Sequence, residues 1–498
     1  MRTALMNYIR AGYSGIYVIS SEETRFEAEA KSVAEELGYA LLAWSATDGL
    51  INTADGSARD CRDPLDMLQV IDELPESSIV LLRDFHLFLE DPDPFLLRLM
   101  RDALRVGKTA GRVLIVCGCR LVLPPELEHD MVTVEFSLPD SEALGVILDG
   151  IAESAEQEKP AGDLRGQLLD AASGLSSVEA EDAFALSVVE TGALSVTVVA
   201  REKARAVKKN GLLEICPTPG SLEDIGGLDL LKAWLNQRHS AFGSAAAEYG
   251  LPSPKGLMII GIPGTGKSLT AKATAGVFEL PLLKLDAGRL YGSLVGQSES
   301  NLRSAIQTVE AIAPCVLWID EIEKAFSGSK SSGSTDGGTA SRVFGTFLSW
   351  MQDKTAPVFV VATANDVSQL PPELLRKGRF DEIFFVDLPD VDERSAIWGI
   401  QVRKYGRDPE ELNTESLVNG SDGFTGSEIE QAFVDALYTA FAGGREPTDE
   451  DVTQALASTV PLSRLMADQL DGLRQWAQGR TRPATTRSAT QPKRRLQY

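Results

Sequence analysis

The chain has 498 residues, of which 43% are hydrophobic and 24% charged, the composition of a globular protein with two or three domains. The formal net charge of −24 disfavours a nucleic-acid partner, because most of the surface would repel phosphate. No apolar run reaches the roughly 18 residues that span a bilayer and no signal-peptide pattern opens the chain, so we predict a cytoplasmic protein without membrane insertion.

The first 155 residues alternate apolar strands with amphipathic helices, which predicts an α/β sheet flanked by helices. "GIYVIS" (15–20) is the first such strand, and "IVLLRDFHLFL" (79–89) is a later one that ends on an aspartate. Cys117 and Cys119 share a strand, but no second ligand pair exists, so buried reduced thiols are expected rather than a metal site.

Two segments connect this region to the rest of the chain. Residues 156–210 are rich in helix-forming sequence and predict a lid-like helical segment. "GLLEICPTPGS" (211–221) carries two prolines and two glycines, which predicts a linker. An ATP-binding α/β core is predicted over 222–390.

"GLMIIGIPGTGKS" (256–268) is an apolar strand that runs into a glycine-rich loop and then into a helix. This context is typical of a phosphate loop, in which backbone N–H groups and a helix N-terminus surround the phosphates. Lys267 can reach the β- and γ-phosphates, and Ser268 can ligate Mg²⁺. The predicted phosphate-binding residues are Gly261, Pro263, Gly264, Thr265, Gly266, Lys267, Ser268 and Leu269.

Two further strands end on polar residues suited to hydrolysis. "CVLWIDEIEKAF" (315–326) delivers Asp320 to a Mg²⁺ ion and Glu321 to a position where it can polarise the attacking water. "VFVVATAN" (358–365) ends on Asn365, whose amide can orient the same water or sense the γ-phosphate. These strands therefore predict an ATPase that uses ATP and Mg²⁺.

Arg376 and Arg379 lie three residues apart in a segment that heads for the surface. Packing explains such a pair poorly, whereas a role as cations offered to the γ-phosphate of a neighbouring subunit explains it well. The arginine pair thus predicts a homo-oligomer in which each site is completed in trans.

Residues 222–465 resemble the AAA clade of the AAA+ ATPases. "DIGGL" (224–228) is similar to the entry motif beside the adenine, which implies that Asp224, Ile225 and Gly226 contact the nucleotide. "GSLVGQSESNLRSAI" (292–306) resembles the first pore loop, with its grip at Leu294, Val295 and Gly296. "GFTGSEIEQAF" (423–433) resembles the start of the helical lid, with Gly426 near the nucleotide.

Nearly the whole chain also resembles the Ycf-type AAA ATPases of cyanobacteria, plastids and other bacteria. The resemblance implies a P-loop AAA+ module, a parallel sheet plus a helical lid over 391–479, in a hexamer with a protein client. The polar segment 327–339 falls where the clade has its second pore loop, and is either a surface loop or a mobile loop facing the pore. The basic residues of 480–498 predict a disordered tail or a docking arm for an acidic partner.

The first half repeats parts of the second. Residues 111–140 and 356–390 both read strand, Leu-Pro-Pro-Glu-Leu, then a strand ending Leu-Pro-Asp, and "GLSSVEAEDAF" (174–184) aligns without a gap with 423–433. We interpret this as an internal duplication rather than a coincidence of α/β patterning. Residues 1–155 are therefore predicted to be a degenerate AAA-like α/β domain.

The first copy lacks the residues that handle ATP. No glycine cradle or lysine follows its first strand, and Glu22 and Glu23 would repel a phosphate. Phe85 takes the place of the catalytic glutamate in our alignment, Ser177 that of the lid glycine, and Cys119 or Arg120 falls near the position of Asn365. This domain is expected to bind no ATP and to act as a ring spacer, as a recruitment or regulatory domain, or as a site for another small ligand.

These patterns favour a ring-shaped, ATP-hydrolysing machine that remodels a protein client. The rival hypothesis is a slow nucleotide-dependent switch or scaffold that threads nothing. Leu294 offers less contact area in the pore than an aromatic residue would, which supports this rival. A nucleic-acid motor is disfavoured by the net charge.

Overall fold

The computed structural model describes two compact units, one up to Lys203 and one from Ala204 onward, and the division falls within a helix. The pore-loop residues Leu294, Val295 and Gly296 lie outside the described residues, and of the polar insert only 337–339 is described, at the start of a helix. The described residues are 2–209, 211–216, 220–242, 246, 248–290, 297–326, 337–376 and 378–486.

The first unit alternates strands and helices as predicted. Its strands are β1 (Gly15–Ile19), β2 (Ala40–Ser45), β3 (Gly49–Asn52), β4 (Ala58–Arg59), β5 (Ser78–Arg83), β6 (Val113–Gly118) and β7 (Val132–Glu135). Its helices are α1 (Arg2–Arg10), α2 (Glu23–Leu37), α3 (Pro64–Val70), α4 (Pro94–Ala110), α5 (Ser141–Ser154), α6 (Gly162–Ala172) and α7 (Ser177–Thr191), and α8 (Val196–Lys209) contains the division between the units.

The seven strands form one sheet in the order β4-β3-β2-β5-β6-β1-β7, in which β3 runs antiparallel to its neighbours β2 and β4 and all other pairings are parallel. The central strands are apolar throughout because helices cover both faces of the sheet. Alternate side chains of β1 enter opposite cores: Tyr17 packs in the cluster of Trp44, whereas Ile16 and Val18 pack in that of Phe26. The centre of the sheet is thus a buried layer with a core on each face, whereas the edge strand β4 is exposed.

Helix α5 packs against α6 and α7, and Asp149 on α5 forms an ion pair of 2.5 Å with Arg165 on α6. The sequence prediction placed this helix in the α/β domain by setting the boundary at 155. In the structure it packs with the helices of the lid-like segment instead. The helix begins soon after the last strand, where Asp140 caps it by accepting a hydrogen bond from the N–H of Ala143.

The second unit carries its own seven-stranded sheet. Its strands are β8 (Leu213–Cys216), β9 (Gly256–Gly261), β10 (Leu282–Leu285), β11 (Cys315–Ile319), β12 (Val358–Ala364), β13 (Glu382–Val386) and β14 (Arg482–Pro483). Its helices are α9 (Asp229–Asn236), α10 (Lys267–Phe278), α11 (Gln297–Ile312), α12 (Ile322–Phe326), α13 (Gly337–Asp353), α14 (Val391–Lys404), α15 (Thr414–Gly420), α16 (Gly426–Ala442), α17 (Asp449–Ser458), α18 (Leu462–Leu465) and α19 (Ala467–Ala477).

The strand order is β14-β13-β9-β12-β11-β10-β8, with only β8 antiparallel among the described strands. Two predicted segments are corrected here. The linker predicted over 211–221 contributes β8, because Leu213 and Ile215 supply an apolar edge strand that pairs with β10. The tail predicted as disordered from 480 begins with β14, whose backbone pairs with β13.

Helices α14 to α17 form the lid, with a core built on Trp398 and Phe433. The lid predicted over 391–479 is therefore too long, because Leu470 and Leu473 of α19 pack in the core of the α/β sheet instead. Helix α14 begins at a capping box between Asp390 and Glu393, and α16 begins at one between Thr425 and Glu428. Such caps satisfy N–H groups at the helix starts, which fixes where each helix begins.

The two units repeat one architecture. The strand order β7-β1-β6-β5-β2 of the first sheet matches β13-β9-β12-β11-β10 of the second. The registers also match, since Gly15 pairs with Leu114 as Gly256 pairs with Val360. The expected AAA-like α/β fold of the first half, beside a P-loop α/β core with a helical lid, is therefore confirmed.

Candidate active site

A cavity of about 330 Å³ lies where the carboxyl ends of the parallel strands of the second sheet meet the lid. Open α/β sheets bind ligands at this edge because the loops that follow the strands converge there. The loop after β9, the ends of β11, β12 and β13, the segment 224–228 and helices α14 and α16 all contribute lining residues. The cavity thus collects most of the predicted site residues.

The phosphate loop runs between β9 and α10. Gly264 and Gly266 adopt φ of 81° and 88°, which L-residues with side chains rarely adopt. A Cβ on Gly264 would also lie 2.2 Å from Oγ of Ser427 on the lid. Thr265 Oγ1 braces the loop by donating a 2.9 Å hydrogen bond to the Ile262 carbonyl. The N-terminus of the 12-residue helix α10 follows directly and favours a bound phosphate.

Lys267 is only 6% exposed, and its Nζ donates to the carbonyl oxygens of Gly261 at 2.8 Å and Ile262 at 2.6 Å. Burial lowers the pKa of Lys267 to about 8, against the opposing influence of Glu323, Asp320 and Glu321. The lysine is therefore a desolvated cation at the base of the loop, and an anion in the cavity would stabilise its charge.

Asp320 and Glu321 follow β11, and Thr363 on the adjacent strand β12 joins them. Thr363 Oγ1 donates to Asp320 Oδ1 at 2.7 Å and accepts from the Glu321 N–H at 3.0 Å. Glu321 adopts φ of 50°, an unusual left-handed conformation for a non-glycine residue. Backbone strain at a position that a neighbouring hydroxyl fixes is typical of a functional residue.

Asn365 lies at the end of β12, beside these carboxylates. Its Nδ2 donates to Glu321 Oε1 at 2.8 Å, and its backbone N–H donates to Glu323 Oε1 at 2.9 Å. Lys324 forms an ion pair of 2.5 Å with the other oxygen of Glu321. The orientation of the Glu321 carboxylate is thus set by a neighbouring amide, as expected for a base that must face a water molecule.

Ser268 and Asp320 fit the magnesium role that the sequence predicts. Both line the cavity, and they offer a hydroxyl and a carboxylate oxygen, the donors that Mg²⁺ prefers. The Thr363 hydroxyl donates a hydrogen bond to one oxygen of Asp320, and Lys284 Nζ lies 3.6 Å from the other oxygen. The donor set therefore suits a hydrated Mg²⁺ ion shared with phosphate oxygens.

The wall of the cavity formed by the segment 224–228 and helix α14 includes the apolar residues Ile225, Leu228, Ile397 and Ile400. Gly226 packs so closely on α14 that a Cβ there would lie 2.5 Å from Ile397. Glu393 ties this wall together, because its Oε1 accepts from the Leu228 N–H at 3.1 Å and from Thr485 Oγ1 at 2.6 Å. Apolar side chains of this kind suit the base of a nucleotide.

The structure places the predicted residues in three groups. Every predicted nucleotide-binding residue except Gly261 lines the cavity, as do Glu321 and Asn365. Gly261 lies behind it, where its carbonyl holds Lys267. Arg376 is exposed and Arg379 donates to the Glu373 carbonyl of its own chain, and neither is among the residues that line this cavity.

Several lining residues were not predicted. On α14, Glu393, Ile397, Ile400 and Gln401 recur at helical spacing after the Asp390 cap. This spacing is the sequence signal that could have indicated which face of the helix lines the cavity. No sequence signal pointed to Thr363, which follows only from the pairing of β11 with β12. The missed residues are Leu228, Thr363, Val386, Asp387, Pro389, Glu393, Ile397, Ile400, Gln401, Ser427 and Glu430.

The corresponding region of the first unit is built differently. Leu82 pairs with Val116 as Ile319 pairs with Ala362, which puts Arg83 in the place of Asp320 and Asp84 in that of Glu321. Asp84 even shares the left-handed backbone, with φ of 52°. Our alignment of Phe85 with Glu321 was therefore one residue out of register. The first sheet's strand β5 includes Arg83, whereas β11 ends at Ile319, one residue before the corresponding Asp320.

Comparisons with known proteins agree with this geometry. Residues 257–388 match the family model "ATPase family associated with various cellular activities (AAA)". Residues 1–136 and 142–210 match the N-terminal and second domains of SpoVK-like AAA ATPases. In the described part of the chain, no helix has the length and apolar character needed to cross a membrane.

Three curated relatives illustrate the similarity. The ycf46 AAA domain-containing protein of Guillardia theta is 40% identical over 476 residues, 94% of this chain and 93% of that protein. Its counterpart in Trieres chinensis is 38% identical over 97% of this chain and 98% of that protein. The proteasome-activating nucleotidase of Aeropyrum pernix is 32% identical over 42% of this chain and 52% of its own length. The chain therefore belongs to the AAA ATPase family, among the ycf46 AAA domain-containing proteins.

Proposed function

We propose that this protein binds Mg-ATP, hydrolyses it and uses the energy to remodel a protein client as a ring of identical subunits. The observation that carries the proposal is the Asn365–Glu321 hydrogen bond of 2.8 Å in a cavity that also contains the phosphate loop. A binding protein without hydrolysis would have no need for a carboxylate oriented in this way. The client is a protein of unidentified sequence, and we place the machine in the cytoplasm.

In this mechanism the N–H groups of the phosphate loop and Lys267 bind the phosphates. Glu321 takes a proton from the attacking water at its carboxylate, and Asn365 keeps that carboxylate facing the water. Ser268 and Asp320 would hold a Mg²⁺ ion, which would supply positive charge to the phosphates. Thr363 holds Asp320 and the Glu321 backbone in one arrangement during turnover.

Arg376 and Arg379 complete the site of the next subunit in this proposal. Their side chains lie away from the cavity of their own chain, which supports a role in trans. An arginine that neutralises the transferring phosphoryl group contributes about 10³-fold or more to the rate. The proposal thus requires an oligomer, and the family relationship favours a hexamer.

A complementation experiment tests both claims. Glu321→Gln subunits should bind ATP without hydrolysing it. Arg376→Ala subunits should not hydrolyse ATP, because no arginine reaches the site of the next subunit. Mixed in equal amounts, they should regain ATPase activity, because a Glu321→Gln subunit still offers Arg376 to an intact Glu321 next to it. A mixture that forms oligomers but stays inactive would refute the trans role. Glu321→Gln protein that hydrolyses ATP at the wild-type rate would refute the catalytic role.

The alternative is a nucleotide-dependent switch that assembles a partner complex without threading. It is favoured by the aliphatic grip residue Leu294, which buries less area against a polypeptide than an aromatic residue would. Leu294→Ala distinguishes the two functions. Loss of client remodelling with intact ATPase activity supports threading, whereas unchanged function supports the switch.

A further inference from the structure

His86 and Cys119 form a pair of chemically active side chains at the carboxyl edge of the first sheet. The Nε2 of His86 lies 3.7 Å from the Sγ of Cys119, within hydrogen-bond distance for sulfur. Cys117 is buried, but Cys119, which follows the end of β6, is exposed. The prediction of buried thiols is therefore wrong for Cys119, and a reactant in solution can reach its sulfur.

The imidazole of His86 is held in a fixed place beside this thiol. It is only 2% exposed and packs over Gly118, where a Cβ would lie 2.6 Å from Nδ1. Within the described residues the buried Nδ1 has no hydrogen-bond partner, and the Asp84 carboxylate lies 3.9 Å from it. A neutral imidazole that carries its proton at Nδ1, towards this carboxylate, leaves Nε2 free to accept the proton of the thiol. Thiol, imidazole and carboxylate thus follow one another as they do around an activated cysteine.

The pair occupies the positions of two residues at the active site of the second unit. The strand registers put His86 in the place of Glu323. They put Cys119 in the place of Asn365, whose N–H donates to Glu323 Oε1 at 2.9 Å. The sheet edge that holds a carboxylate and an amide in the second unit therefore holds an imidazole and a thiol in the first.

The charged groups around His86 leave its imidazole a free base at neutral pH. Burial lowers the pKa of His86, and the Arg120 guanidinium lowers it further, whereas Asp84 and Glu90 raise it. Arg120 and Glu90 form an ion pair of 2.5 Å with each other. Because the pKa lies below the ordinary value of about 6.5, His86 can accept a proton from Cys119 throughout the neutral range.

We infer that Cys119 is a peroxide-reactive thiol whose proton His86 accepts during the attack. The sulfur forms a bond to one oxygen of hydrogen peroxide while the O–O bond breaks. Cys119 is thereby oxidised by two electrons to a sulfenic acid, and the departing hydroxide takes the proton from His86 Nε2 and leaves as water. Asp84 stabilises the imidazolium between these steps. The reaction uses no nucleotide, so the inference is independent of the proposed function.

The surroundings of the thiol favour a peroxide over an acyl group as its reactant. Hydrogen peroxide is small and requires only a base that returns its proton to the leaving oxygen. Acyl transfer also requires N–H groups directed at an oxyanion. The N–H of Val122, three residues beyond Cys119, already donates to Tyr17 Oη at 3.0 Å.

The test treats the full-length protein with hydrogen peroxide in excess dimedone, which traps sulfenic acid, and follows the labelling by tandem mass spectrometry. Trypsin cleaves after Arg112 and Arg120, so one peptide carries both Cys117 and Cys119. Cys117 is the internal control, because burial raises its pKa to about 12. Cys119 should be labelled at least about tenfold faster than Cys117.

The variant His86→Gln separates a chemical role of the imidazole from a structural one. At pH 7 its Cys119 should react at least about tenfold more slowly than that of wild type. Between pH 6.5 and 7.5 the wild-type rate should change less than about threefold, because the base is already free. The rate of the variant should rise about tenfold, because its thiol must ionise without a base. A structural role alone would not change the pH profile in this way.

Two further variants keep the result interpretable, and thermal denaturation verifies that each variant folds. Asp84→Asn changes an exposed side chain, and asparagine tolerates the left-handed φ of 52° at this position. Its Cys119 should react about threefold more slowly, because the imidazolium loses a neighbouring charge. His129→Gln removes an exposed histidine and should react like wild type. The inference is overturned if Cys119 reacts no faster than Cys117, if folded His86→Gln keeps the wild-type rate or pH profile, or if Asp84→Asn keeps the wild-type rate.

Discussion

The carboxylate of Glu22 accepts a 3.0 Å hydrogen bond from the backbone N–H of Ser177, and Ser177 Oγ donates to it as well. Glu22 stands where the phosphate loop of the second unit has Pro263, and Ser177 stands where the lid helix has Gly426. A side-chain anion thus joins the turn after β1 to the N-terminus of α7. In the first unit this carboxylate therefore stands at the position where the second unit begins its phosphate loop.

We expect Glu22→Ala to loosen the start of α7, because two hydrogen bonds to a buried carboxylate are lost. Hydrogen bonds to charged groups contribute about 1.5–3 kcal/mol each, so amide exchange near Ser177 should accelerate at least about tenfold. Hydrogen-exchange mass spectrometry of the full chain measures this. Glu23→Ala is the matched control, since Glu23 forms an ion pair of 3.9 Å with Arg83 and, within the part of the chain that the structure describes, makes no hydrogen bond to α7. Equal exchange in both variants would show that Glu22 does not hold the helix.

Thr363 provides a second prediction, because its hydroxyl connects the two carboxylate positions of the active site. Thr363→Val removes the donor to Asp320 and leaves the Glu321 N–H without its acceptor. We expect kcat to fall about tenfold or more and the Mg²⁺ concentration for half-maximal rate to rise, with a smaller change in ATP affinity. Steady-state kinetics across a Mg²⁺ titration measures these effects.

Thr363→Ser is the control for this variant. It keeps the hydroxyl and should retain most of the rate, although it removes a methyl group from a buried position. A Thr363→Val enzyme with the wild-type rate and Mg²⁺ dependence would mean that the hydroxyl serves packing alone. Equal losses in both variants would lead to the same conclusion.

The sequence predicted the phosphate-binding and carboxylate residues of this site better than the residues that line the rest of the cavity. The phosphate loop, Asp320, Glu321 and Asn365 each follow an apolar strand in a recognisable motif, and the carboxyl ends of parallel strands meet at one edge of a sheet. Thr363 and Glu393 join the site only through strand pairing and helix packing, which no local pattern encodes. The edge strands β8 and β14 were missed for a related reason, since each is a short segment that pairs only with a distant strand.

The C-terminal segment gives a third prediction, because it supports the base end of the cavity. The Ala484 N–H donates to Phe385, and its carbonyl accepts from the Leu231 N–H, both at 3.1 Å. Thr485 then donates to Glu393, which lines the cavity and holds the segment beside it. We expect a chain ending after Gly479 to bind ADP about tenfold more weakly and to unfold at least about 3 °C lower than wild type.

A chain ending after Thr486 is the control, because it keeps every one of these contacts. Its ADP affinity and unfolding temperature should match those of the full chain, as measured by calorimetry and thermal denaturation. If both truncations bind ADP like wild type, the segment does not support the cavity. If both lose affinity equally, residues beyond 486 are responsible.

Lys267 gives the last prediction, which concerns pH. Burial lowers its pKa to about 8, so the lysine is protonated at pH 7 and increasingly neutral above pH 8 in the nucleotide-free protein. Bound phosphates stabilise the charged form and raise this pKa. Nucleotide binding at pH 9 should therefore take up close to one proton, whereas binding at pH 7 should take up almost none from this group. ADP affinity should fall as the pH rises above 8, by up to about tenfold per pH unit. Calorimetry in buffers of different ionisation enthalpy measures the uptake.

Lys354→Met is the control, because burial also lowers the pKa of Lys354 to about 8 but this lysine is absent from the residues that line the cavity. Its proton uptake should equal that of wild type, and an uptake that does not change between pH 7 and pH 9 would contradict the role of Lys267 as the buried cation of the phosphate site.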